Sequence, residues 1–282
     1  MNNLFLQSGA PLKISNLYNC KHPTLNDIRE LELKDSNLYS EYVSALTSTI
    51  LDIADVLWVE CKVFYEDIQD EWKFFVERSV NTEKTVKICK QYEDGNRSFP
   101  EYTYLINDTV RNAFNFFLNT SGEYVLIPED DIFSVVNISN IENDTYIYNN
   151  KNLVLNKINF GIIQNFISKI NWINTKDHQV VHGGTKRAKK YILEMEYKAR
   201  VDDARRAKQN VTLDSIVSSL IAKGTPYKMI WEYPIYMIYD QYHRYIQFDG
   251  WTNTNNALCS GNLDTKKNPI KWDKINWSRV LN

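Results

Sequence analysis

The chain has 282 residues, of which 43% are hydrophobic, 24% charged and 13% aromatic, with only nine glycines and seven prolines. That length accommodates two domains and a real core without staples, and that composition excludes disorder and low complexity. A formal net charge of -2 gives no global bias toward nucleic acid or anionic membrane, so any charged function must be local.

Cys20, Cys61, Cys89 and Cys259 are widely separated, with no C-x-x-C and no tight Cys/His set. A zinc site is therefore not expected, nor is any other metal or cofactor. The opening "MNNLFLQSGAPLK" lacks a basic segment followed by a long apolar run, and no stretch reaches the roughly 18 apolar residues of a membrane span. The expectation is a cytosolic protein with reduced thiols and no membrane contact.

In chain order, residues 1–83 read as a helical part. Thr24 and Asp27 form a capping pair for a helix through Leu33. Leu38, Tyr42, Ala45 and Leu46 then share one helical face. Ile50, Ile53, Ala54, Leu57 and Trp58 repeat the pattern, and Ile68, Trp72 and Phe75 follow at similar spacing. The carboxylates Glu66, Asp67, Asp70 and Glu71 read as a solvated face, because no oxygen-rich glycine loop accompanies them.

Residues 84–156 change character. "KTVKICKQY", "FNFFLNTSGEYVLI", "DIFSVVNI", "DTYIYN" and "NLVLNKI" are short Val/Ile/Phe/Tyr runs between turn formers, which predicts a small antiparallel β unit. Hairpin turns are placed at Ser121–Gly122 and at Asn149–Asn150, the latter suited to positive φ.

Residues 157–282 read as helical again. Ile158, Ile162, Phe166 and Ile170 form a stripe, and "LDSIVSSLIAKG" ends at Gly224 in the usual stop position. A basic helix is expected near 186–208. It carries nine Lys or Arg against Glu194, Glu196, Asp202 and Asp203. Lys186, Arg187, Lys189 and Lys190 fall in its first turns, where positive charge opposes the helix dipole. Helix stability does not account for them, so an acidic partner surface is the functional reading and a long solvated helix the bland one. Nucleic acid is disfavoured, because no aromatic residues interleave with the charges to stack on bases. The "HGGTKR" stretch lacks phosphate-loop spacing, and the four histidines assemble no triad or ligand set at the level of sequence.

"WEYPIYMIYDQYHRYIQF", Trp231 to Phe248, reads as an amphipathic helix begun by Pro234. Ile235, Ile238, Tyr239, Tyr242, Tyr245 and Ile246 line its apolar face. Asp240, Gln241, His243, Arg244 and Gln247 line the wet one, with Asp240 and Arg244 paired four residues apart.

A pattern of Trp231, Tyr233, Pro234, Tyr236, Tyr239 and Asp240 precedes Gly261, Asp264, Lys266 and Lys267, and then Trp272 and Trp277. Over about 100 C-terminal residues it resembles tail-morphogenesis proteins of tailed phages of Gram-positive bacteria, described as tail assembly chaperones or tail-associated virion proteins. That resemblance implies a non-enzymatic role among tape-measure, tube or baseplate proteins, in the host cytoplasm during assembly, with self-association and a place in the virion left open.

The resulting expectation is an α+β fold, helical at both ends around the small β unit. The candidate partner-binding residues are Lys186, Arg187, Lys189, Lys190, Arg205, Arg206, Trp231, Tyr233 and Tyr236. The alternative is a phage-encoded nucleic-acid-binding protein or enzyme using the basic segment 186–208.

Overall fold

The computed structural model of the chain describes residues 2–48, 71–129, 132–173 and 212–260. The expected Ile50–Trp58 helix, most of the acidic cluster, the basic helix 186–208 and the tail from Gly261 onward lie outside these described residues.

The chain divides into two compact units, neither of them a continuous stretch. One comprises residues 1–9, 23–27 and 209–282, the other 10–22 and 28–208. The fold is α+β, but its β part is neither small nor antiparallel throughout.

In the larger unit, seven strands form one sheet in the order β7-β8-β3-β4-β5-β6-β9. Counted after the two-stranded sheet of β1 (Leu12–Lys13) and β2 (Asn19–Cys20), they are β3 (Val80–Lys90), β4 (Glu101–Ile106), β5 (Glu123–Glu129), β6 (Ile132–Ile138), β7 (Asn140–Glu142), β8 (Thr145–Tyr148) and β9 (Val154–Leu155). β3 runs parallel to β8 from Lys87 to Lys90, so the sheet is mixed. The β6–β7 connection shows that it also curls. Ser139 alone joins these strands, although five strand spacings, about 24 Å in a flat sheet, would separate them. One residue cannot span that distance, so the two ends of the sheet must approach each other. Inside the curl, Ile88, Val125, Ile127, Val136, Ile138 and Tyr148 form a buried cluster.

The other side of the sheet carries helices. Four are described in this unit besides the helix that begins at Leu25: α3 (Leu38–Thr47), α4 (Glu71–Ser79), α5 (Asp108–Leu118) and α6 (Lys157–Ile170), counted after α1 (Asn3–Gln7) and α2 (Leu25–Glu32). α5 occupies sequence that reads as strand: the aromatic run Phe114, Phe116, Phe117 is helical. Asn107 caps its start, accepting from the Val110 N–H at 3.0 Å, and Asn119 ends it at φ 50°. Ser121–Gly122 therefore links a helix to β5, not two strands. Phe114 packs 5.1 Å from Tyr124 of β5, joining helix layer to sheet.

The two-residue hairpin lies elsewhere. Asn143 and Asp144, at φ 49° and 58°, connect β7 to β8 with Glu142 opposite Thr145. Positive φ at both turn positions matches the twist of the flanking strands. Asn149–Asn150 joins β8 to β9, which do not pair with each other, so no hairpin forms there.

α6 opens with a reciprocal cap. Asn156 Oδ1 accepts from the Asn159 N–H at 3.1 Å, and Asn159 Oδ1 accepts from the Asn156 N–H at 2.8 Å. Its buried stripe is Phe160, Ile163, Phe166, Ile167 and Ile170. Ile158, expected in that stripe, is 76% exposed, and Ile162 is also exposed. Repeated steps of four residues drift around a helix of 3.6 residues per turn, so Ile158 and Ile162 lie roughly 120° and 80° around from Ile170 and leave the buried face, which Phe160 and Ile163 take instead.

In the smaller unit, α7 (Leu213–Ala222), α8 (Tyr227–Ile230) and α9 (Ile235–Cys259) pack with α1 and residues 23–27. Its core is Leu25, Ile216, Val217, Leu220, Ile230 and Ile238. Thr212 caps α7, and Gly224, at φ +102°, stops it as the sequence predicts. Among the described residues no helix is long and apolar enough to cross a membrane.

Candidate functional site

Trp231, Tyr233 and Tyr236 are the described members of the candidate set, and all three belong to the scaffold of the smaller unit. Tyr236 is 4% exposed, so its ring is core and offers no surface; burial also pushes its hydroxyl pKa up, with Asp240 adding to the shift. Trp231 and Tyr233 are half-buried against the core cluster. Their carbonyls accept from Asn26 at 2.8 Å and Leu25 at 3.0 Å, and the Ile235 N–H donates to the Pro23 carbonyl at 2.9 Å. These bonds, with a bridge between Thr24 and Pro234, tie residues 23–26 to the start of α9. Pro234 sits at the N-cap, one position before the first helical turn, at φ -59°. Lys186, Arg187, Lys189, Lys190, Arg205 and Arg206 lie outside the described residues.

The surface of this unit is made by other side chains. Pro226 caps the four-residue α8, which can turn only one side inward. Ile230 takes the core position, leaving Tyr227 62% and Met229 51% exposed. Tyr227 meets the edge of Trp231, with ring centroids 5.9 Å apart. Ile246 and Phe248, on the second half of α9, are exposed as well, and Phe248 packs against Trp251 at 6.1 Å. α9 runs on to Cys259, well past the expected helix end near Phe248, and the Tyr/Ile face that is buried at Ile238 is open by Ile246.

The larger unit has a separate exposed aromatic group. Phe99 is 92% exposed, and Tyr102 on β4 stands beside its register partner Lys87, whose ammonium lies 5.6 Å from the ring centre.

Aromatic and Met side chains of this kind are enriched at protein contacts: the rings offer apolar area at a low rotamer-entropy cost, and Met adapts its shape to what it meets. The sequence signal for Tyr227 and Met229 was present in "TPYKMIW". Proline, tyrosine and methionine alternating over a single turn cannot all face a core. The richer tyrosine run beside it masked that signal.

The profile of a family described as the YomV second domain, which is phage-derived, matches residues 205–282. The match covers the C-terminal part of the smaller unit and points to a phage protein. No curated protein matches the chain. No solved structure matches it.

Proposed function

We propose that the chain is a non-enzymatic phage protein that acts through protein–protein contacts in tail assembly, as a chaperone-like factor or as a component of the tail or baseplate. The observation that carries this reading is the match of residues 205–282 to a phage-derived family, over the segment in which Tyr227, Met229, Ile246 and Phe248 stand exposed. Scattered apolar residues are ordinary on protein surfaces. Here they are held on α8 and α9 by the backbone ties at Trp231, Tyr233 and Pro234, which gives a partner a rigid apolar surface.

The test is recovery of the tagged chain from phage-producing cells. Tube, tape-measure or baseplate proteins should co-purify, and mass spectrometry of purified particles then separates a factor that leaves from a component that stays. Tyr227→Ala combined with Met229→Ala should weaken that recovery and leave the unfolding midpoint within about 0.5 kcal/mol of the parent, as for exposed positions. Co-purification of nucleic acid alone, lost as salt rises, would replace this reading with the nucleic-acid one.

A further inference from the structure

We infer that the peptide bond after Asp94 is a site of spontaneous isoaspartate formation, and hence of enzymatic carboxyl methylation, whereas the chemically identical bond after Asp249 is not. The inference does not depend on the assembly reading.

The sequence holds two Asp–Gly pairs, Asp94–Gly95 and Asp249–Gly250. Glycine favours ring closure by a preceding aspartate, because no Cβ obstructs its nitrogen and its backbone turns freely. Sequence alone therefore ranks the two bonds equally. In the acid form of the carboxyl group, the glycine nitrogen attacks Cγ. An N–Cγ bond forms, the Cγ–O bond breaks, and the amide proton leaves with the hydroxyl as water. Water then opens the succinimide ring. Opening at Cγ restores aspartate. Opening at the α-carbonyl leaves the main chain running through Cβ and Cγ, with an α-carboxylate as the side group.

The fold separates the two bonds. Asp94 and Gly95 lie in the connection from β3 to β4, where residues 92–97 are all exposed. Asp94 Oδ1 accepts from the Asn96 N–H at 3.0 Å, and Oδ2 accepts from the Asn96 side-chain amide at 2.8 Å. A carboxylate bonded to the N–H two residues on is folded back over the intervening peptide, so Cγ is turned toward the Gly95 nitrogen. Gly95 has φ +84°, and a Cβ built there meets nothing within 4 Å. The Gly95 N–H donates to the Tyr92 carbonyl at 3.1 Å, between two exposed residues, and this bond must open for the attack.

Asp249 and Gly250 lie inside α9. A helix holds ψ near about -42° and engages the peptide nitrogen in its hydrogen-bond ladder, which keeps that nitrogen from Cγ. Both Asp249 carboxylate oxygens also accept from Lys223 Nζ, at 2.9 and 2.7 Å. Ring closure there requires the helix to open and both bonds to be given up.

The change at Asp94 has a local consequence. The turn is closed by the Tyr92 N–H donating to the Asn96 carbonyl at 2.9 Å, and Arg97 pairs with Glu142 of β7 at 2.8 Å. An added main-chain methylene lengthens this turn and withdraws the carboxylate from Asn96. It therefore loosens the tie to β7 beside the exposed Phe99.

The experiment ages the full chain at neutral pH, folded and in urea. Isoaspartyl methyltransferase with a labelled methyl donor then reads isoaspartate, located by tryptic mapping. In the folded chain, label in the peptide of residues 91–97 should grow at least about tenfold faster than in the peptide that holds Asp249, since a helical segment must open before it reacts. In urea the two peptides should label at similar rates, and Asp94→Glu should remove the label from the folded chain. Equal labelling of both peptides in the folded chain would overturn the role given to the fold. No label at Asp94 in the folded chain, with label there in urea, would show that the turn protects the bond and overturn the site. No label in either state would overturn the chemistry.

Discussion

Asp240 is a buried carboxylate on a helix whose polar face was expected to be wet. At 6% exposed it meets two donors, Arg244 Nε at 2.9 Å and Gln7 Nε2 at 3.1 Å. An exposed ion pair contributes under about 1 kcal/mol. Here removal of the guanidinium leaves a buried carboxylate with one neutral donor, so Arg244→Ala should cost roughly 1–3 kcal/mol in urea denaturation. A cost below about 0.5 kcal/mol would mean that water replaces the guanidinium. His22 presents the opposite case, a buried base. It is 5% exposed, lies edge-on to Phe166 with centroids 5.7 Å apart, and neither ring nitrogen has a hydrogen-bond partner. Burial pushes its pKa down from 6.5 to about 4. The unfolded chain therefore binds a proton between these values that the folded chain refuses. The stability associated with neutral His22 is complete above about pH 6.5 and is lost as pH falls toward 4, on the order of 2–3 kcal/mol. Melting midpoints of the parent should drop across that window more steeply than those of His22→Leu; parallel curves would show that His22 does not titrate there.

At the scale of elements, α9 is two helices in energetic terms. Ile238 is fully buried in the core of the smaller unit, whereas Ile246, two turns on, is half exposed. Ile238→Ala should cost about 2–5 kcal/mol by chemical denaturation, and Ile246→Ala under about 0.5 kcal/mol; similar costs would mean that the second half of α9 is as firmly packed as the first. What could be read from sequence follows the same division between local and distant causes. The Thr24–Asp27 cap, with the Asp27 carboxylate accepting from the Thr24 N–H at 2.8 Å, and the stop at Gly224 depend only on neighbouring residues, and both were legible. The Asp240–Arg244 pair was legible as a spacing, but its burial was not, because Gln7 approaches from 233 residues away. The α5 helix was hidden because Phe114 to Leu118 satisfies a strand pattern as well as a helical one, and the Asn107 cap was the cue that decided it. The parallel β3–β8 pair and the curl required knowing that Ser139 joins β6 to the edge strand β7, five positions away in the sheet, which no periodicity encodes. The candidate surface was half legible for a related reason. A tyrosine-rich amphipathic face looks the same in sequence whether it packs inward, as Tyr236 does, or stands free, as Tyr227 does.

At the scale of the whole molecule, the smaller unit is assembled from both ends of the described chain, and its integrity rests on a few residues near the start. Leu6 is buried, Gln7 donates to Asp240, and Gly9 passes close to Pro234. Gly9 has φ +69°, and a Cβ there would lie 2.5 Å from Pro234 Cγ. A side chain is therefore opposed both by the left-handed backbone and by a rigid ring that cannot swing aside. Gly9→Val should strain this junction by roughly 1–3 kcal/mol. Because Pro234 caps α9, the strain should be felt first in that helix. Hydrogen exchange should then accelerate at amides from Ile238 to Arg244, while amides paired between β5 and β6, from Tyr124 to Val136, keep their protection, since a local opening exposes only the cooperative segment that contains it. If the sheet amides accelerate by the same factor, the chain unfolds as one cooperative body and Gly9 acts on all of it. If neither set changes, the Pro234 ring yields, and the first nine residues contribute less to this unit than their contacts with α9 require.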